Sequence, residues 1–322
     1  MKSVLIVEFI IVAPAVAASY PPAEKYLERA LSTGIILSDS EVLSFGLHDF
    51  DPNELFNIHN DNIGSEEALQ LRQQLAVTSL PYTFELNDRS NQIQHQITTR
   101  FSLLSGDNSV RIRQHPQRDK QDQLIVGAMS GYQLRYQADS HWSLTPGLAA
   151  HLQYYRNHHE YRSELSRRLV KPILDGVIYN TDAYAITLEP TIKIKYQANE
   201  TWGEWNLNST AHYFYGFGWG NASDGDVGNP EGWYLSNGVE AMYHLKEWSG
   251  SVHSLYGTLR RVDIGGDPSQ PFGTNYYYES SFGWLMDSPF LHRWIDNIGL
   301  GLSINYGSAI KGGSIVLFFN QD

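Results

Sequence analysis

Ser251 and His253 stand two residues apart, and Ser209 and His212 stand three apart. A histidine that takes the proton of a serine hydroxyl makes it a nucleophile, provided the side chains meet and a carboxylate orients the ring. In extended chain, residues two apart share a face, so Ser251 and His253 can meet while Ser209 and His212 point to opposite sides. No orienting acid is legible, and with 12 histidines such pairs arise by coincidence. Asp49-Phe50-Asp51-Pro52-Asn53 starts like a calcium loop, but Glu54 stands where glycine is needed and Asn60 where a bidentate glutamate belongs. Helix capping explains those residues better. Asn221, Asp224, Asp226 and Asn229 crowd a glycine-rich stretch that reads as a solvated loop. His158-His159-Glu160 lies beside Arg162, Arg167 and Arg168, a set suited to phosphate, since a guanidinium binds it bidentately. No metal, cofactor or catalytic residue is assigned.

The elements that must carry these residues are strands. From about residue 80 the hydropathy period is 2. Trp142, Leu144, Pro146, Leu148, Ala150, Leu152 and Tyr154 alternate with Ser143, Thr145, Gly147, Ala149, His151 and Gln153. Tyr184, Ile186, Leu188, Pro190, Ile192, Ile194 and Tyr196 alternate with Ala185, Thr187, Glu189, Thr191, Lys193 and Lys195. This is the pattern of a strand with one apolar and one wet face. The runs reach about 13 residues, against ~5–6 in soluble proteins. Strands are predicted near 92–104, 124–136, 141–155, 183–197, 202–217, 233–245, 248–262, 274–286, 294–307 and 312–319. Leu80–Leu86 is an eleventh candidate. Pro146 and Pro190 each remove a ladder donor, which predicts bulges or bends there.

Aromatics stand twelve residues apart on the apolar faces: Trp142 with Tyr154, Tyr184 with Tyr196, Trp205 with Phe217, and Trp294 with Tyr306. Twelve residues at ~3.3 Å span roughly 40 Å, which a tilt of ~40° projects to about 30 Å. That is the height of an apolar band between two membrane interfaces. Links between predicted strands alternate short (137–140, 198–201, 246–247, 287–293) and long (105–123, 156–182, 218–232, 263–273), with 308–311 as the exception. The expected fold is therefore all-β, a transmembrane antiparallel up-and-down barrel of 10–12 strands with both ends in the periplasm.

Composition agrees. The 322 residues hold 23 Lys+Arg against 35 Asp+Glu, a net charge of −12, which is unsuited to coating nucleic acid. The absence of cysteine excludes disulfide scaffolds and thiol chemistry. Lys2, the apolar Val4–Val12 and Ala15-Val16-Ala17 read as an export signal over 1–17. Residues 18–79 read as short helices with polar links: Pro22 opens the first, Gly34 ends it, and the stretch through Leu69, Leu71, Leu75 and Ala76 favours another. The barrel is expected over 80–322.

Arg100, Glu189, Lys193, Lys195, Glu240 and Glu279 fall on the inward faces. Unpaired charges in a dry interior are prohibitive, so the lumen is wet or filled by something complementary. The helix bearing Glu24, Lys25, Glu28 and Arg29 is a candidate plug, expected to set Glu24 and Glu28 near Arg100, Lys193 or Lys195, and Arg29 near Glu189 or Glu240. A free periplasmic helix is the other reading. Arginine is expected to be costly at the lipid-facing Leu148 and mild at the inward His151.

Lys311, Gly313, Val316 and Phe318 have the spacing polar-x-Gly-x-x-apolar-x-aromatic. It resembles the terminal signal read by barrel-insertion machinery, although Asn320-Gln321-Asp322 extends beyond it and Phe319 is an alternative anchor. With an export signal, a helical N-terminal stretch, a barrel over ~80–319 and the last strand Lys311–Phe318, the chain resembles the solitary autotransporter-type outer-membrane barrels, translocators without a passenger. The resemblance implies twelve strands and a helix in the lumen. The function read here is a non-enzymatic passive pore or passenger-less translocator, a monomer in the bacterial outer membrane. Its expected partners are membrane lipid, lipopolysaccharide and the insertion machinery. The alternatives are an outer-membrane hydrolase or protease, and a surface-loop adhesion or lipid-contact protein.

Overall fold

The computed structural model describes residues 23–39, 49–50, 75–86, 92–110, 117–248, 250–272, 274–287, 297–306 and 312–321. Among these residues, helix α1 (Ala23–Ser38) precedes twelve strands. These are β1 (Asp49–Phe50), β2 (Leu75–Leu86), β3 (Ile93–Val110), β4 (Asp119–Gln137), β5 (Trp142–Glu160) and β6 (Thr181–Glu200). There follow β7 (Gly203–Gly220), β8 (Glu231–Trp248), β9 (Ser251–Gly266), β10 (Tyr276–Asp287), β11 (Asn297–Tyr306) and β12 (Gly312–Phe319). Consecutive strands from β2 to β12 pair antiparallel, and β1 pairs with β12. The sheet curls around α1, which meets β2, β3, β4, β5 and β8. All ten predicted strands are present. The strands β3 to β8 run to 18–20 residues, longer than predicted, because they rise beyond the aromatic rows on the long-loop side.

The alternation puts apolar side chains outside and polar ones inside. On β5, Leu148 is 54% exposed and His151 only 4%. Leu144, Leu152, Ile186, Leu188, Ile192 and Ile194 are likewise exposed, while Gln153, Thr187 and Glu189 are buried. An apolar surface this extensive around a polar interior is stable only in lipid. The wall is that of a transmembrane barrel.

The short links lie at one end. Between β4 and β5, the Asp139 carboxylate accepts the backbone N–H groups of His141 (2.8 Å) and Trp142 (2.9 Å). Those two bonds hold its pKa below the usual carboxylate range. Between β8 and β9, Gly250 takes φ +81°, a left-handed conformation that costs other residues strain.

Several expectations are corrected. Pro146 and Pro190 make no bulge: Gln133↔Gly147 and Tyr136↔Leu144 keep one register, as do Leu188↔Tyr215 and Thr191↔His212. Each proline leaves a local gap in one ladder and turns its ring outward. The one register shift among the described pairs is between His244 and Lys246. Gly34 does not end α1. It lies inside the helix, where a Cβ would stand 2.9 Å from Gln153 Nε2 and 3.3 Å from two Ile125 methyl carbons, so glycine there permits a close approach to the wall. Leu75 and Ala76 open β2, not a helix, held in register with Gly106 and Ser105 of β3. Residues 51–74, with the rest of that helical reading and of the calcium-loop pattern, lie outside the described residues, as do the export signal, Trp294 and Lys311.

At the short-turn end of the lumen an apolar cluster joins Met242, Tyr256, Leu285, Val316 and Phe318. The Phe318 ring is fully buried and meets Tyr256 edge-on at 5.3 Å. It lies over the paired Gly283 and Gly301, where an added Cβ would run into the ring and into neighbouring backbone carbonyls. Gly301→Ala is expected to destabilise the barrel by about 1–3 kcal/mol through overpacking, read as a lower urea midpoint in lipid vesicles. Gly257→Ala, whose nearest contact would be an ordinary 3.8 Å, should be nearly neutral in the same assay.

Candidate functional site

Helix α1 fills the long-loop half of the lumen. Leu27, Leu31 and Ile35 are fully buried. Leu27 and Leu31 pack with Tyr155 of β5, Ala183 and Ala185 of β6, and Ala222 and Val227 of the β7–β8 loop. Ile35 and Ile36 pack with Phe214 of β7, Tyr234 of β8, Val262 and Ile264 of β9, and Phe272 of the short helix α2 (Ser269–Phe272). One helix of ~24 Å is thus enclosed by the wall and its loops.

Polar contacts set its direction. Glu24 stands beside the Asp226 carboxylate of the β7–β8 loop, which raises its pKa above the usual carboxylate range. Glu28 accepts the N–H of Asn229 at 2.8 Å and pairs with Lys25 at 2.5 Å. Halfway along, Gln153 Nε2 donates to the Leu31 carbonyl at 3.0 Å. At the far end the Ser79 hydroxyl donates to the Ser38 carbonyl at 2.8 Å, and Arg100 binds the Asp39 carboxylate. The helix therefore enters N-terminus first from the loops, and its C-terminal end reaches mid-barrel.

This direction corrects the expected pairings. Glu24 and Glu28 stay at the mouth, so the deeper charge, Arg100, meets Asp39 just beyond the helix. Glu189 is held from three strands: His151 Nε2 at 2.5 Å, His212 Nδ1 at 2.5 Å, and the Tyr234 hydroxyl donating at 3.1 Å. The His212 and Tyr234 rings stack at 4.0 Å. His151 is therefore a buried partner of Glu189, and arginine there would not be mild. Glu240 accepts from Asn208 (2.7 Å) and Asn206 (3.2 Å), and Glu279 accepts from Arg260 at 2.7 Å. Lys193 and Lys195 lie half-buried further down β6. Tyr234, Asp39 and Arg260 escaped sequence reading, and His212 was weighed only as a partner for Ser209. What joins His212 to Tyr234 is their register on adjacent inward faces, which the sequence of a single strand does not carry.

A small gap lined by Ile36, Asp39, Tyr234, Ser236, Arg260, Val262 and Tyr277 lies beside the helix end. Among the described residues no group of three or more His, Asp or Glu side chains is placed to hold a metal. His253 faces outward, stacked on Trp284 at 5.3 Å beside Trp248, away from the lumen carboxylates. Ser209 bonds Asn237 outside at 2.8 Å while His212 lies inside.

The outward aromatics form rows across strands. One runs through Trp142, Tyr196 and Trp205, with ring centroids 5.1 and 5.5 Å apart. The other runs through Tyr154, Tyr184, Trp219 and Phe217 at 5.0, 5.8 and 6.3 Å, and Tyr306 meets Tyr278 at 6.2 Å. In the last strand Gly313, Val316 and Phe318 are buried while Phe319 is half-exposed. The tail beyond it is tied back, with Asn297 exchanging two bonds with the Gln321 backbone at 2.7 and 2.9 Å.

Residues 28–321 match the solitary outer membrane autotransporter beta-barrel domain. The chain belongs to that family. The match takes in most of α1 as well as every strand, so helix and wall form one family unit in this solitary autotransporter barrel. No curated protein matches it in sequence. Among solved structures it is similar to BamA from Haemophilus ducreyi lacking POTRA domains 1–3, at 9% identity and a TM-score of 0.27. That alignment covers 76% of the solitary barrel and 63% of the BamA chain, less than two thirds of it. It is also similar to Wzi of Escherichia coli, an outer membrane protein involved in group 1 capsule assembly and described as a carbohydrate-binding β-barrel. There the identity is 9%, the TM-score 0.19, and the coverage 91% and 97%.

Proposed function

We propose that this barrel rests shut, with α1 as its plug, and acts as a non-enzymatic, passenger-less translocator barrel in preference to an open pore. The burial of Leu27, Leu31 and Ile35 among five strands and two loops carries the reading. The helix direction supports it too, because the N-terminal end of α1 stands at the long-loop mouth, where a segment exported through the barrel would emerge. In this reading residues 1–17 direct export, the two aromatic rows seat the barrel at the membrane interfaces, and the last strand with Phe318 is what insertion machinery engages.

Single-channel recording in a planar bilayer tests it. The intact protein should be nearly silent, and a variant lacking residues 23–38 should conduct in steady steps, since the strand ladder does not run through the helix. Equal conductance with and without the helix would overturn the plug.

A further inference from the structure

The lipid-facing wall is not uniform around the barrel. Between the girdle aromatics Trp142 and Tyr154, β5 turns only Leu, Pro and Ala outward, and between Tyr184 and Tyr196, β6 turns only Leu, Ile and Pro outward. On β7 to β9 the outward face is interrupted by polar groups. Ser209, Asn237 and Arg261 are register partners on one outward rung. Their depth follows from the aromatics at the short-turn end of each strand. Ser209 stands four residues above Trp205. Asn237 stands six above Tyr243, which stacks on Trp202. Arg261 stands eight above His253, which lies beside Trp248 and Trp284. With girdle rows twelve residues apart, these positions are about one third, one half and two thirds of the way across the apolar band.

The polar groups are incompletely served by their own chain. The Ser209 hydroxyl donates to Asn237 Oδ1 at 2.8 Å, and among the described residues the Asn237 amide N–H groups find no acceptor. The Arg261 guanidinium forks onto the carboxylate of Asp263, two residues higher, at 2.6, 3.0 and 3.1 Å. It lies over the Tyr276 ring at 4.7 Å. One carboxylate cannot take all five guanidinium N–H donors, and the Arg261 side chain is 46% exposed. Hydrocarbon offers such groups no partner, which is why charged side chains at membrane depth face protein or water.

We propose that the outward face of β7–β9 is an interface between two copies of this chain in the membrane, in place of the monomer expected from sequence. Arg261 of each copy is set against Asp263 of the other, and the two Asn237 amides meet near the axis. Self-complementarity is what selects a second copy. The patch carries one cation and one anion two residues apart, together with an amide that both donates and accepts. Two copies inserted the same way are related by a two-fold axis along the membrane normal, which brings equal heights face to face. In such an interface a contact of residue i with j is repeated as j with i, so the Arg261–Asp263 pairing forms twice.

The chain has no cysteine, so a single introduced thiol reports on one face. In phosphatidylcholine vesicles, Asn237→Cys oxidised with copper phenanthroline should give a disulfide-linked dimer, several-fold more than Leu188→Cys on the apolar wall of β6. Arg261→Asp or Asp263→Arg, each added to Asn237→Cys, should abolish the cross-link, because like charges then face each other. Reconstituting those two variants together should restore it as a mixed dimer, which also shows that both fold. Sedimentation of the unsubstituted protein in mild detergent should give twice the monomer mass. Equal cross-linking at 188 and 237 would overturn the face, and a cross-link at 237 indifferent to the charge changes would overturn the Arg261–Asp263 recognition. A monomer mass, with Asn237→Cys linked only to a different protein in native outer membranes, would overturn the second copy.

Discussion

Arg100→Met is expected to cost about 3–5 kcal/mol, because it leaves the largely enclosed Asp39 carboxylate, 19% exposed, without its counter-charge. The barrel can relieve that cost without unfolding. Asp39 lies one residue beyond α1, so withdrawal of the helix end takes the carboxylate to water. The measured result should therefore be a barrel that keeps its strands but opens intermittently in a bilayer recording. Asp39→Leu in the same background should restore much of the closed state, since replacing both charges with apolar groups is often neutral or better. The four variants form a double-mutant cycle. An additive cycle would mean that Asp39 and Arg100 do not depend on each other.

Leu148→Arg should destabilise the inserted protein by about 2–4 kcal/mol, the cost of arginine at the bilayer midplane. Leu148 stands midway between Trp142 and Tyr154 on an outward face and is 54% exposed to lipid. Leu152→Arg, two residues below Tyr154 and equally outward, should cost only about 0–1 kcal/mol, because the interface is close enough for the guanidinium to reach water. Urea unfolding from lipid vesicles gives both values. Equal costs at the two positions would contradict the membrane depth inferred from the aromatic rows.

The wall was legible because its signal is local. Period-2 alternation, strand length and aromatics twelve residues apart each sit within one strand, and each follows from the pleat and the bilayer. What crosses between strands was harder. Trp219 belongs with Tyr154 and Tyr184 only once the register of three strands is known, and Glu189 finds His151, His212 and Tyr234 the same way. Gly34 misled because a helix-ending glycine and one chosen for close approach to a wall are identical in sequence. Phe318 and Phe319 could not be separated until β12 was paired with β11, since a shift of one residue exchanges the two faces. Inward charges needing partners pointed to a helix in the lumen, yet the wall itself satisfies Glu189, Glu240 and Glu279. Only Arg100 turns to the segment just after α1. The direction of the helix was not legible at all. That depends on which loops meet its first turn.

The bond from the Asn229 N–H to Glu28 joins groups 201 residues apart in the chain. Contacts that distant form late, because the intervening chain must be ordered first. The seat of α1 is built from β5 to β9, so the helix is synthesised long before anything exists to receive it. Until those strands pair, the leucines and isoleucines of α1 have no apolar seat. The nascent chain is then most open to proteases and to misassociation through the segment that the finished protein hides most completely. Assembly speed, more than final stability, should decide how much of this protein survives to function.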